Sequence, residues 1–143
     1  MGPIVCATRG GEASRRTQEM AIALARERGA PLIFFFVVDT NFARPANQAL
    51  AEALVDELER LGTRLLCIAR ARARDQGVSA DIVVRHGTVR HTIEDFLREV
   101  KASALILGAP GTGSEKKAFS QGEIPRFTQE ISASTGVEVI LVG

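Results

Sequence analysis

Five short apolar runs alternate with polar segments of helical periodicity along the whole chain, and no other feature restricts the fold as much. The runs are Ile4 to Thr8, Leu32 to Val38, Asp81 to His86, Ala104 to Leu107 and Glu138 to Val142. Each has strand length, and Leu32 to Val38 is apolar without interruption, as a strand covered on both faces requires. Between the first two runs, Ser14 to Arg28 places Thr17, Met20, Ala21, Leu24 and Ala25 on one helical face, and Gly29-Ala30-Pro31 ends that helix. A longer helix is predicted from about Asn47 to Gln76. In it Leu50, Leu54, Leu58, Leu61, Leu65 and Ile68 recur at spacings of four and three. Gly62 weakens it locally by roughly 1 kcal/mol relative to Ala and invites a bend, and Gly77 supplies a stop. Thr88 is placed to N-cap a helix whose core face is Val89, Ile93, Phe96, Leu97 and Val100. A short helix from about Ile124 to Ser132 carries Pro125 in its first turn, where the missing N–H costs nothing.

Strict alternation of strand and helix predicts a parallel sheet with helices on both faces, right-handed crossovers, and a ligand site beyond the carboxyl ends of the strands where strand order reverses. The 143 residues suit one domain, 1–143. With 18 Lys+Arg against 17 Asp+Glu, the formal net charge of +1 gives no general attraction to nucleic acid or an anionic membrane. The chain also lacks Trp and Tyr, the usual stacking platforms for single strands. Leu32 to Val38, the longest apolar stretch, is too short to cross a bilayer. Two cysteines, Cys6 and Cys67, make neither a disulfide framework nor a four-ligand zinc site. No basic n-region follows Met1. The expectation is a soluble, cytoplasmic domain without nucleic-acid or membrane partners.

The stretch from Gly108 to Glu123, which includes Gly111, Thr112, Gly113 and Gly122, follows a buried strand and opens a helix. Backbone N–H groups of such a loop, with the helix N-terminus behind them, can cradle phosphate; a flexible surface loop whose glycines only permit turns is the alternative. Two better-known phosphate motifs fail here. Gly108 to Gly113 has Walker-type spacing, but Ser114-Glu115 stands where Lys and a hydroxyl residue are required. After the first strand, Arg9-Gly10-Gly11-Glu12 is not a dinucleotide fingerprint. A phosphoacceptor domain would need clustered carboxylates, whereas the first strand ends in Thr8-Arg9 and the third in Arg85-His86.

The chain resembles the universal stress protein (UspA-like) family. Ile4 to Ser14 is similar to the family's opening strand followed by Asp-Gly-Ser-Glu-x-Ser. Ser103-Ala-Leu-Ile-Leu-Gly108-Ala-Pro-Gly111 is similar to its Asp-Leu-Ile-Val-Met-Gly-x-x-Gly, and Val84 to Gly87 and Val137 to Val142 resemble the end of its third strand and its last strand. The resemblance implies a five-stranded α/β sheet of order 3-2-1-4-5, Rossmann-like and of the adenine nucleotide hydrolase-like kind, and a homodimer, for which the edge Glu138 to Val142 is the expected seam. Some members bind ATP through Gly, two residues, Gly, nine residues, then Gly-Ser or Gly-Thr. Gly108 and Gly111 match the first half. In the second half ten residues separate Gly111 from Gly122, and Glu123 replaces the hydroxyl residue. Arg9 stands where the family usually has Asp. By the same resemblance Ala7 and Thr8 flank the base, and Val37 and Val38 supply a backbone edge to adenine.

A carboxylate at Glu123 accepts hydrogen bonds but repels phosphate. Like charges about 4 Å apart cost about 4 kcal/mol at an effective dielectric near 20, roughly a thousandfold in affinity. Glu123 also suits the positive end of a helix dipole, and Arg9, Lys116 and Lys117 would offset the repulsion if they point inward. The sequence therefore predicts a family-like pocket with weakened or altered binding of ATP or AMP, with Mg accompanying ATP, and no assigned catalytic or metal-ligating residue. Ordinary ATP binding, a nucleotide-hydrolysing enzyme and a protein-interaction module with an empty pocket are the rival readings. His86 and His91 are expected at the surface, Cys6 as a small buried hydrophobe, and Arg64, Arg70, Arg72 and Arg74 as cations complementing a helix C-terminus. Phe34, Phe35 and Phe36 are expected in the core, and Phe42 and Phe119 in loops.

Overall fold

A strand that is apolar on both faces must be covered twice, and the chain does this around β2. The computed structural model describes residues 2–8, 12–39, 48–108 and 123–142. Their elements are β1 (Ile4–Ala7), α1 (Glu12–Arg28), β2 (Leu32–Asp39), α2 (Gln48–Asp75), β3 (Ala80–Gly87), α3 (Val89–Val100), β4 (Ala104–Gly108), α4 (Glu123–Thr135) and β5 (Glu138–Val142). The five strands form one parallel sheet in the order β3-β2-β1-β4-β5. The predicted alternation and strand order are thus observed, and α4 proves longer than its periodicity suggested.

Alternate residues of each strand feed two cores. Ile4, Cys6, Phe34 and Ile106 pack with Ala21, Ile22 and Ala25 of α1 and Leu66, Ala69 and Ala73 of α2. Val5, Phe35 and Leu105 pack with Ile93, Phe96 and Leu97 of α3 and Phe127 and Ile131 of α4. Phe35 stacks on Phe96 with ring centroids 4.3 Å apart, so the aromatic run of β2 divides between the faces as expected. Gly29 (φ 63) and Gly77 (φ 79) stop α1 and α2 in the left-handed conformation that glycine adopts without a Cβ penalty.

One local expectation is met in position only, and two are corrected. Thr88 occupies the N-cap of α3 but makes no side-chain capping bond; its carbonyl accepts the Thr92 N–H at 2.9 Å instead. In α2 the helix runs unbroken through Gly62, and its buried residues are Gly62, Leu66, Ala69 and Ala73. Leu50, Leu54, Leu61 and Ile68 of the leucine row stay exposed. The small residues bring the helix axis close to the sheet: a Cβ at Gly62 would lie 2.4 Å from Phe36 Cδ1. The face of α1 is also turned relative to the expected one. Thr17, Gln18, Ala21, Ile22 and Ala25 are buried, while Met20 is 47% exposed.

Candidate functional site

Strand order reverses between β1, which leads through α1 to β2 on one side, and β4, which leads through α4 to β5 on the other. The chain diverges there, and in open α/β sheets the ligand crevice lies beyond the carboxyl ends of the strands at such a point. Ala7 is in register with Phe35 of β2 and Leu107 of β4, so Thr8 and Gly108 are the next residues out on adjacent strands. Side-chain alternation turns both toward α1: Cys6 and Ile106 belong to the α1 core, while Ala7 and Leu107 pack on the α3 side.

β2 continues past the end of β1. Phe35 C=O accepts the Thr8 N–H at 3.0 Å, and in a parallel ladder the peptide groups of alternate residues face the same neighbour. Phe35 and Val37 therefore direct their peptide groups to the β1 side, and Phe36 and Val38 direct theirs to β3, where they register with Val84 and His86. Beyond Ala7 the edge of Val37 overhangs the crevice. Val38 does not share in it, since its side chain is 1% exposed and its peptide groups face β3. The sequence had paired these two residues; strand register separates them.

Gly108 ends β4 against α1. A Cβ there would meet Thr17 Oγ1 at 2.8 Å, so glycine lets the helix approach the end of the strand. Thr17 is 2% exposed, and its hydroxyl has no hydrogen-bond partner among the described residues. Thr8 is 4% exposed and Gln18 3% exposed. Gln18 Nε2 donates to Thr8 Oγ1 at 3.2 Å, and Arg72 Nη1 donates to Gln18 Oε1 at 2.7 Å. Sequence reasoning missed Gln18 altogether and read Arg72 as a dipole cation. A glutamine one residue after Thr17 on the inward face was the available signal. Glu123 is the first residue of α4. The remaining candidates, Arg9, Gly111, Thr112, Gly113 and Gly122, lie outside the described residues, as do Glu115, Lys116, Lys117, Phe42 and Phe119.

Other expected groups have ordinary settings. Burial pushes the Cys6 thiol up to about 12, which leaves it protonated and inert. His86 is half-exposed with Nε2 3.7 Å from Glu59, and His91 is exposed. Among the described residues no three His, Cys, Asp or Glu side chains gather as a metal site, and no helix is long and apolar enough to cross a membrane.

These features define an open, doubly wound α/β domain whose strand order reverses between β1 and β4. The family model described as "Universal stress protein family" matches residues 1–142; the chain belongs to that family. It is 25% identical over 131 residues to the universal stress protein YxiE of Bacillus subtilis, covering 86% of this chain and 88% of that one. Among solved structures, universal stress protein UspA from Lactobacillus plantarum superposes with a TM-score of 0.81 at 20% identity, over 99% of this chain and 97% of that one. The universal stress protein from Archaeoglobus fulgidus in complex with dAMP superposes with a TM-score of 0.65 at 19% identity, over 100% of this chain and 98% of that one.

Proposed function

We propose that the chain is a cytoplasmic stress-response module that takes an adenine nucleotide into the β1–β4 crevice and holds its phosphates weakly. The base would lie against the overhanging peptide edge of Val37, beside Ala7 and Thr8, with the sugar and phosphates running over Gly108 toward Gly111, Thr112, Gly113 and Gly122. The observation that carries the weakened half of this reading is that α4 begins at Glu123. A helix N-terminus attracts phosphate through its free N–H groups and dipole. A carboxylate in its first turn competes for that same positive end and repels each added phosphate. The dAMP complex of the structurally similar A. fulgidus protein supports a nucleotide as the ligand class.

Calorimetric titration with AMP, ADP and ATP tests this. Affinity is expected to stay level or fall along the series, with ATP weaker than about 1 μM, and Glu123→Ser is expected to strengthen ATP binding more than AMP binding. Sub-micromolar ATP affinity of the wild type would refute the weakened phosphate half.

The reading includes a homodimer paired along β5. This strand has β4 on one side only, and Leu141 is 40% exposed; an open apolar edge is a template for pairing with a second copy. Light scattering at micromolar concentration is expected to give twice the chain mass, and a monodisperse monomer would remove the dimer from the reading.

A further inference from the structure

Helix α2 reverses the usual placement of side-chain size. Gly62, Ala69 and Ala73, with Leu66, face the sheet, while Leu54, Leu61 and Ile68 are 41%, 50% and 51% exposed. Leu58 and Leu65 lie between them, half-buried, and belong to neither core. At 3.6 residues per turn these five form one row, roughly a quarter of the circumference away from the stripe that packs on the sheet. Their spacings of four, three, four and three are those of a coiled-coil seam, apolar at every a and d position. Single exposed leucines are ordinary, but a continuous row about 21 Å long marks an association surface.

Charge selects what that surface fits. The first half of α2 bears Glu52, Asp56, Glu57 and Glu59, and the second bears Arg60, Arg64, Arg70, Arg72 and Arg74, with Asp75 at its end the exception. The helix dipole accounts for arginines in the last turn, but its influence fades within a turn of each end. Glu57, Glu59, Arg60 and Arg64 are in the middle of the helix. Glu57 and Arg64, seven residues apart, border the apolar row on the side away from the sheet. Both are exposed, and Glu57 holds Arg60 at 2.8 Å along the same helix.

We propose that the outer face of α2 pairs with the same face of a second copy of this chain, antiparallel about a two-fold axis near Leu61. Parallel pairing would set acid on acid and arginine on arginine. Antiparallel pairing sets the acidic half of each helix against the basic half of the other, and it brings Glu57 of each copy to Arg64 of the other on both sides of the axis. Leu58 then packs on Leu61 of the other copy, and Leu54 on Leu65. A partner of single charge would match only one half of the helix, whereas a second copy matches both. Helix α2 packs over β2 and β3, at the edge of the sheet opposite β5, so this surface is separate from the β5 seam and from the nucleotide reading. A seam of five residues pairs weakly, and copies associate through it as concentration rises.

Sedimentation equilibrium of the full chain from about 1 μM to about 200 μM tests this. The mass is expected to rise above that of the species present at about 1 μM, whether that species is a monomer or a β5 dimer. Leu61→Gln/Ile68→Gln is expected to abolish the rise while unfolding cooperatively at the wild-type midpoint, since neither side chain belongs to a core. Glu57→Arg and Arg64→Glu each set like charges across the axis twice, and each is expected to move the rise to about tenfold higher concentration. Mixed in equal amounts, these two variants are expected to associate as the wild type does, because each supplies the charge the other lacks. Glu57→Arg/Arg64→Glu is expected to restore association within one sequence. A wild-type mass that stays constant over the range overturns the pairing and leaves the face to a different partner. A rise that survives Leu61→Gln/Ile68→Gln, or single charge variants that associate as well as the wild type, overturns it too. In each case the β5 seam, read from the mass at about 1 μM, stands or falls by itself.

Discussion

Gly62→Ala reverses the usual effect of replacing glycine inside a helix. In a helix interior the change gains about 1 kcal/mol, because alanine gives up less backbone entropy on folding. In α2 the new methyl would meet Phe36 Cδ1 at 2.4 Å, Cε1 at 2.6 Å and Cγ at 3.0 Å, against about 3.5–4.0 Å for a relaxed carbon contact. The ring would have to retreat by about 1 Å, and Phe36 is held in β2 in register with Val84. Overpacking of this kind costs about 1–3 kcal/mol. Set against the propensity gain, it leaves a net loss of up to about 2 kcal/mol. In a chain of this size that lowers the thermal midpoint by up to about 8 °C. Calorimetry of wild type, Gly62→Ala, Phe36→Leu and the double variant is the assay, and in the Phe36→Leu background Gly62→Ala is expected to become stabilising. A higher midpoint for Gly62→Ala in the wild-type background would show that α2 does not pack on Phe36 as closely as the structure requires.

Thr17→Val, which removes a buried hydroxyl without a partner among the described residues, is expected to raise stability of the ligand-free chain by about 1 kcal/mol in urea titration; a loss would mean that the hydroxyl has a partner in the fold. Gly108→Ala is expected to destabilise by about 1–2 kcal/mol through its contact with Thr17 Oγ1, and less in a Thr17→Ala background, as a double-mutant cycle measures. The Cys6 thiol is raised by burial from 9.0 to about 12, so above pH 9.0 the unfolded chain loses this proton while the folded one keeps it. Its contribution to stability is therefore complete below pH 9.0 and is lost as pH rises toward 12, at about 1.4 kcal/mol per unit. Denaturation from pH 8 to pH 11 (about one-unit steps) is expected to show a slope that Cys6→Ala reduces by that amount; equal slopes would refute the shift.

The fold was legible because its strongest signals are local. An uninterrupted apolar run such as Leu32 to Val38 of β2 has few destinations other than the middle of a covered parallel sheet, and glycines after α1 and α2 mark stops that need no partner. The burial of α2 was less legible. Leucines at helical spacing look like a core face, yet Gly62, Ala69 and Ala73 face the sheet, because distance of approach to Phe36 rather than side-chain size sets which face packs. That information resides in β2, not in the helix. For the same reason Val37 and Val38 could not be told apart until the register of β2 with β1 assigned their peptide groups to opposite neighbours.

The polar group at the end of β1 shows the same limit in sharper form. An apolar-face reading of α1 takes Met20 inward and leaves Gln18 out, since a lone amide in a core costs more than a hydrophobe saves. In the fold Gln18 is buried and Met20 is the residue left exposed. The cost disappears because the amide is satisfied at both ends, by a threonine 10 residues before it and an arginine 54 residues after it. Neither partner is marked in the sequence as belonging to the other. Thr8 reads as the end of a strand, and Arg72 as one of several basic residues on a helix.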